Sequence, residues 1–251
     1  PISPDLAKIG IGDQSIQTII ASLIGLDNSS IFISLIVPLL ICGFLLKYIF
    51  LSDKKLSNDN LLSGIVVGLV VTFAWLLTGG DLGQSWIENN DFLDTPYPAV
   101  GVQSFTFINP MGETLLFTSN IFDNFFLTFG VAALLSTIAG SFVYSILSNN
   151  LRIEWFANRH DFFRHMIGGI LIGIGGVLSL GCTIGQGVSG VSTLAIGSVI
   201  TLISIIFGAS LMMKIEYYKA VYDDSSFIEL LKNSLIDLRV LPETLRTLEK
   251  I

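Results

Sequence analysis

Residues 168–197 read GGILIGIGGVLSLGCTIGQGVSGVSTLAIG, and ten of these thirty residues are glycine. In the first half, Gly169 and Gly173 form a GxxxG pattern, which allows two membrane helices to pack closely. Across residues 181–190 the glycines follow one another too closely for a good helix, and the stretch carries no charge. Irregular backbone at membrane depth is tolerated only where it is buried in protein or lines a cavity. The sequence therefore predicts a helix break or re-entrant turn over 181–190, with a new helix starting within 189–192.

The composition around this stretch indicates an all-α integral membrane protein. Hydrophobic residues make up 51% of the chain and charged residues only 13%, whereas soluble domains carry about 25% charged residues. A transmembrane helix needs about 20 mostly apolar residues. Residues 16–26 are too short to span and could be a truncated helix or a half-helix. The predicted spans are 30–51, 61–78, 122–147, 162–180 and 194–213.

Lysine and arginine placement predicts the orientation of these spans. Basic residues occur in the connections 52–59 and 148–164 and in the tail from residue 214 onward, whereas the connection 81–121 has none. Because basic loops stay in the cytoplasm, we expect 81–121 outside and the C-terminus inside. Within 81–121, the segment 105–117 could fold back into the membrane. Its Glu113 is then an intramembrane carboxylate, and otherwise a solvated one.

Two regions are expected along the chain: a transmembrane transporter domain over 1–218 and a cytoplasmic amphipathic tail over 219–251. In the tail, 227–238 and 242–251 read as short amphipathic helices. The pattern favours a surface-lying or loosely packed appendage over a docking site. Trp75, near the end of its span, is expected to be an interfacial anchor.

Charge and cysteine content exclude several kinds of partner. The net charge of −7 argues against nucleic acid. Cys42 and Cys182 are too few and too far apart for a disulfide framework or a metal cluster, so we expect no cofactor. The predicted membrane cores contain no lysine or arginine, so an anionic solute would rely on backbone N–H groups at the start of a broken helix. Cys182 is either a small buried hydrophobe or a polarizable solute contact.

The core GCTIGQG of the glycine-rich segment resembles the C-terminal signature of the YeeE/YedE family, which is linked to uptake of thiosulfate and related sulphur compounds. The similarity runs from about residue 13 to 218, through NPMGETLL at 109–116, and covers the C-terminal two-thirds of the family pattern. The resemblance implies a two-fold pseudo-symmetric transporter. This chain would hold about five transmembrane helices plus short or re-entrant helices, in one and a half pseudo-repeats.

Cysteines in the pore contact the substrate in that family, and its motif cysteine falls on Cys182. The other positions that the resemblance implies for substrate binding or translocation are Gly181, Thr183, Gly185, Gln186, Gly187 and Ser189. The family's first-half motif and a further N-terminal cysteine have no counterpart here, because Cys42 lies in an ordinary apolar span. Either the sequence is a fragment, which we favour since it begins at Pro1, or another polypeptide completes the pore.

The resulting functional expectation is a transporter and not an enzyme. It would import a small sulphur-containing anion, thiosulfate, across the bacterial inner membrane, through a pore lined by helix N-termini and a cysteine. A small cytoplasmic sulphur-carrier protein is an implied partner beside the lipid bilayer. The alternative is a membrane thiol-redox or sulfurtransferase protein that uses Cys182. That alternative needs a second reactive group nearby.

Overall fold

The computed structural model describes residues 15–17, 31–51, 57–120, 124–222 and 225–248. In this part of the chain the regular elements are helical, and the only bridge between extended residues joins Ser15 to Ala195. The helices are α1 (Ile31–Leu51), α2 (Asn58–Gly79), α3 (Asp81–Asp91), α4 (Ile108–Ser119), α5 (Phe129–Leu147), α6 (Arg159–Leu178), α7 (Ile196–Val221) and α8 (Phe227–Asp237).

Four of these helices, α2, α5, α6 and α7, are long and apolar enough to cross a membrane. Helix α1 is also apolar over its 21 residues. In the four longer helices, between 6% and 17% of the most apolar 18-residue window is buried inside the chain. Their side chains therefore face a surrounding that must itself be apolar. The prediction of an all-α membrane protein is confirmed. The predicted half-helix at 16–26 lies almost entirely outside the described residues.

Polar caps set where the spans begin. Asn158 accepts a hydrogen bond from the backbone N–H of Asp161 at 2.8 Å, so α6 starts three residues before the predicted span. Thr128 accepts from the N–H of Val131 at 3.2 Å, so α5 starts at Phe129 and not at residue 122. Such caps satisfy N–H groups that have no partner inside the helix.

The chain forms two compact units, Pro1–Val199 and Ile200–Ile251. The predicted division at residue 218 stays a prediction. In the first unit, α4 packs against α5 and α6. A Cβ atom added at Gly176 would lie 2.6 Å from Cγ1 of Ile108, whereas no described atom lies within 4 Å of one at Gly169 or Gly173. Among the described residues the close approach therefore occurs at Gly176, and the GxxxG interpretation stays a prediction.

Helix α4 begins within the segment 105–117, which the sequence allows to fold back into the membrane. Glu113 on α4 accepts a hydrogen bond from the hydroxyl of Thr128, with 2.5 Å between the oxygens. The Glu113 side chain is half-buried, and this hydrogen bond links it to Thr128, the residue that caps α5. The connection between α2 and α5 is therefore a packed structural element.

The second unit has a core around Tyr218, which is fully buried against Ile215 and Leu230. Asp237, whose side chain is 3% exposed, accepts hydrogen bonds from Lys214 at 3.2 Å and Arg246 at 2.7 Å. The hydroxyl of Tyr218 also donates to Asp237, at 3.0 Å. Of the two forms expected for the tail, the loosely packed one was therefore wrong, and the surface-lying one stays a prediction.

The two helices predicted for the tail have different outcomes. Helix α8 matches the predicted 227–238 closely. In the predicted helix 242–251, only Glu243–Leu245 forms a single 3₁₀ turn among the described residues. Thr247 and Leu248 instead donate their backbone N–H groups to the side chain of Asn233, at 3.1 and 3.2 Å.

Replacement of Gly83 by alanine should destabilise the corner between α2 and α3. The added Cβ would overlap the carbonyl oxygen of Thr78 and lie 2.8 Å from its Cα, and backbone atoms cannot move aside. We expect a loss of about 1–3 kcal/mol, measured as a lower thermal midpoint in detergent. Gly68→Ala on α2 is the control, because nothing described lies within 4 Å of its added Cβ and alanine favours helix. Equal thermal midpoints for Gly83→Ala and Gly68→Ala would contradict the close packing of Gly83 against Thr78.

Replacement of Asp237 by asparagine should loosen the tail. Burial favours the neutral carboxyl, but hydrogen bonds from Arg246, Tyr218 and Lys214 outweigh it and hold the pKa of Asp237 below its ordinary value. The resulting stability is present above the ordinary aspartate pKa of about 3.9 and is lost as pH falls through the lowered value. Protection of the α8 amides, corrected for the pH dependence of intrinsic exchange, should thus be constant from about pH 8 to 5 and fall only in stronger acid.

At neutral pH, Asp237→Asn should cost about 2 kcal/mol. This loss of stability is smaller than for a fully buried ion pair, since the side chain of Lys214 is 37% exposed. Glu243→Gln removes an exposed carboxylate from the same tail and serves as the control. If both variants left exchange in α8 unchanged, the network around Asp237 would not hold the tail.

Candidate functional site

The glycine-rich segment interrupts the helix at two points. Helix α6 ends at Leu178, and the N–H of Gly181 returns to the carbonyl of Gly176 at 2.9 Å. Leu180 takes a left-handed conformation with φ 55°, and Leu194 does the same with φ 56°. Between the two leucines, residues 183–192 form a short helix that is widened to π geometry at Gly185–Gly190. The helix break predicted over 181–190 is therefore present at the Gly181 end of that range.

The predicted start of the next helix, within 189–192, was wrong. Helix α7 begins at Ile196, after the left-handed turn at Leu194. The carbonyl of Leu194 accepts a hydrogen bond from the N–H of Ile16 at 3.0 Å. An uncharged helical insert thus lies between α6 and α7, with a turn at each end.

The side chain of Gln186 connects the two turns. Its Nε2 donates to the carbonyl of Ser179 at 2.8 Å, where α6 ends. Its Oε1 accepts from the hydroxyl of Ser198 at 2.5 Å, in the first turn of α7. A neutral amide can serve both ends because it has a donor and an acceptor. Gln186 therefore fixes the distance between the end of α6 and the start of α7.

The opposite wall comes from the segment before α4. The hydroxyl of Ser189 donates to the carbonyl of Phe105 at 2.6 Å, and buried Thr78 donates to the carbonyl of Gln103 at 2.6 Å. The indole N–H of Trp75 donates to the hydroxyl of Ser192 at 3.1 Å. Trp75 thus contacts the short helix, and its expected role as an interfacial anchor stays a prediction.

These two walls border an open cavity of about 300 Å³. Its described lining is uncharged and about half polar. The indole of Trp75 and the hydroxyl of Ser189 already donate within the chain, whereas Thr106 adds a hydroxyl and Asn109 an amide to the lining. Asn109 is the second residue of α4 and Ser198 the third of α7, so two helix starts border the space. The first N–H groups of a helix have no partner within it, although that of Ser198 donates to the carbonyl of Ala195 at 3.1 Å, just before α7. The lining residues are Trp75, Val102, Gln103, Ser104, Phe105, Thr106, Asn109, Leu180, Gly185, Gln186, Ser189, Gly190, Thr193 and Ser198.

The predicted site residues divide into two groups. Gly185, Gln186 and Ser189 line the cavity, whereas Gly181, Cys182, Thr183 and Gly187 are not among its described lining. Cys182 is partly buried at the start of the short helix, where its Sγ accepts from the N–H of Gly185 at 3.3 Å. The cysteine is thus tied to a lining residue without itself facing this space.

Sequence reasoning missed Trp75 and the polar run Gln103–Thr106 as parts of the site. The signal for the run was available, since QSFT interrupts an otherwise apolar region directly before the NPMGETLL stretch. Trp75 gave no such signal, because a tryptophan near the end of a span is ordinarily an interfacial residue.

The family model for sulphur transport matches residues 51–211, which include both walls of the cavity and Cys182. The chain belongs to the sulphur transport family. The resemblance to YeeE/YedE proteins is thereby confirmed, together with the assignment to membrane transport of sulphur compounds. No curated protein and no solved structure matches the chain.

A double-mutant cycle should detect the link through Gln186. Gln186→Leu leaves the carbonyl of Ser179 and the hydroxyl of Ser198 without their partner, which we expect to cost about 1–3 kcal/mol. Ser198→Ala removes one of these bonds. The double variant should lose less stability than the two single variants lose together, by at least about 0.5 kcal/mol, measured by thermal unfolding in detergent. Strictly additive losses would mean that the two side chains do not interact.

Proposed function

We propose that this member of the sulphur transport family imports a small sulphur oxyanion, thiosulfate, and has no enzymatic activity. The observation that carries the proposal is the uncharged polar cavity between the segment before α4 and the short helix of residues 183–192. Its volume of about 300 Å³ suits a small solute, since one water molecule occupies about 30 Å³ in the liquid.

The lining supports binding of an anion by neutral donors. The hydroxyl of Thr106 and the amide of Asn109 border the space. The hydroxyl groups of Ser104 and Ser198 also border it, but they already donate to the carbonyl of Val71 and to Gln186. The starts of α4 and α7 add the positive ends of two helix dipoles, which favour negative charge without a basic side chain. Because the described lining has no lysine or arginine, the anion is not trapped by a full opposite charge. Weak holding of this kind allows the solute to leave again.

Cys182 is proposed as a contact on the path outside the cavity. It precedes the lining residues Gly185 and Gln186 by three and four positions, and its sulphur is linked to the N–H of Gly185. A polarizable sulphur atom suits a sulphur-containing anion better than a hydroxyl does. Gly181, Thr183 and Gly187 flank Cys182 on the same segment, and we place them along the same path.

The membrane potential limits how such uptake can proceed. A dianion entering a cell against 100 mV, inside negative, costs about 4.6 kcal/mol, at about 2.3 kcal/mol per charge. We propose that coupling to another ion, or consumption by a small cytoplasmic sulphur-carrier protein, supplies this energy. The proposed orientation places the C-terminal tail in the cytoplasm of a bacterial inner membrane, in line with the positive-inside distribution of lysine and arginine.

Uptake of sulphur-labelled thiosulfate into proteoliposomes that hold the complete gene product tests the proposal. Wild type should show saturable uptake, and Cys182→Ala should lose most of it at equal membrane abundance. Cys182→Ser should keep a fraction, because the hydroxyl preserves size and hydrogen bonding while losing polarizability. Cys42→Ala is the matched control, since Cys42 is exposed on α1.

Three other outcomes would revise the proposal. Absence of uptake by well-folded wild type would exclude thiosulfate as the solute. Unchanged uptake in Cys182→Ala would remove the cysteine from the path. Equal and complete loss in the alanine and serine variants, with a persulfide or disulfide on wild-type Cys182 during turnover, would favour the thiol-redox or sulfurtransferase alternative.

A further inference from the structure

Helix α8 buries polar residues beside the apolar Leu230 and Ile236, and it leaves other apolar residues exposed. Asn233 is fully buried, with its side chain bonded to Thr247 and to the carbonyl of Glu229. Ser234 is fully buried as well, and Asp237 is 3% exposed. By contrast, large apolar side chains at the start of the helix are exposed. Phe227 is 62% and Ile228 is 73% exposed.

The exposed residues form one continuous face. At about 100° per residue, Phe227, Ile228, Leu235 and Leu238 fall within an arc of about 100°. Leu235 and Leu238 are partly exposed. The inner polar residues lie on a second arc, centred about 120° away. The tail is therefore held by these hydrogen bonds and by the core around Tyr218, while an apolar surface is left for something else to cover.

Helix α8 crosses the end of α7 and does not run along it. Leu230 and Asp237 are seven residues apart, which is about 10 Å along a helix axis. Leu230 packs on Ile215 and Tyr218, and Asp237 bonds to Lys214 and Tyr218, so both reach the same turn of α7. A helix that crosses the end of a membrane span at a steep angle runs along the membrane surface.

The crossing point lies at the depth where a lipid surface is expected. Helix α7 has 26 residues and is about 39 Å long, whereas the hydrocarbon core is about 30 Å thick. Its last turns therefore extend into the headgroup region. Met213 and Tyr217 are exposed there, and with Leu238 they border a hollow of about 520 Å³. The apolar face of α8 thus continues onto the exposed side of a membrane-spanning helix.

We propose that α8 is an interfacial helix whose outer face, formed by Phe227, Ile228, Leu235 and Leu238, lies in the lipid bilayer. The partner of this face is lipid, and the hollow beside Leu238 receives an acyl chain. Lys232, one turn after Ile228, reaches lipid phosphate at the edge of the face. This role is independent of the transported solute.

Quenching of a fluorophore attached to α8 tests the proposal in the full chain. Ile228→Cys, and separately Phe227→Cys, carry an environment-sensitive label in a Cys42→Ser, Cys182→Ser background. Glu229→Cys is the matched control, because it is exposed on the same turn and points about 150° away from the centre of the apolar face. The protein is reconstituted in phosphatidylcholine and phosphatidylglycerol vesicles with and without brominated acyl chains.

Labels at positions 227 and 228 should be quenched by brominated lipid several-fold more than the label at 229. Iodide in the water should quench the label at 229 more than the labels at 227 and 228. Equal quenching of all three positions by iodide would overturn the proposal, because the face would then be in water. Protection of positions 227 and 228 from both quenchers would also overturn it, since a second copy or a soluble protein would then cover the face. Two labelled positions keep the test valid if one variant does not fold.

Discussion

The structure of the site depends on one constraint: a broken helix without charged side chains must still satisfy its backbone groups. Gln186 meets much of this requirement, because its single amide serves the end of α6 through Ser179 and the start of α7 through Ser198. The hydroxyl of Ser189 extends the same principle to the carbonyl of Phe105. Neutral donors and acceptors thus hold two walls apart at a fixed spacing, and the space between them is the cavity.

Hydropathy predicted the membrane fold well because composition alone decides it. The ends of the helices were less predictable, since they depend on single hydrogen bonds such as the cap from Thr128 to Val131. The two turns of the glycine-rich segment show a further limit. Both left-handed residues are leucines, Leu180 and Leu194, although glycine is the residue ordinarily expected at such positions. Local backbone hydrogen bonds accompany both turns: the N–H of Leu180 donates to the carbonyl of Val177 at 3.2 Å, and that of Leu194 donates to the carbonyl of Val191 at 2.9 Å.

The candidate site was predicted on one wall and missed on the other. Residues 181–190 stood out because glycine, serine and glutamine are unusual between apolar spans. The facing segment is joined by contacts such as that between Ser189 and Phe105, which are 84 positions apart and leave no periodic signal. The tail is a similar case. The buried carboxylate of Asp237 depends on Arg246 and on Lys214, and no helical pattern contains that pairing.

The bond between Trp75 and Ser192 has an optical consequence. The chain has three tryptophans, and the side chains of Trp86 and Trp155 are exposed. Trp75 is partly buried, lines the cavity, and donates its indole N–H to the short helix. Its emission therefore reports on the polarity of the cavity and on the integrity of that hydrogen bond. The protein carries an intrinsic fluorescent probe in the wall of its candidate site.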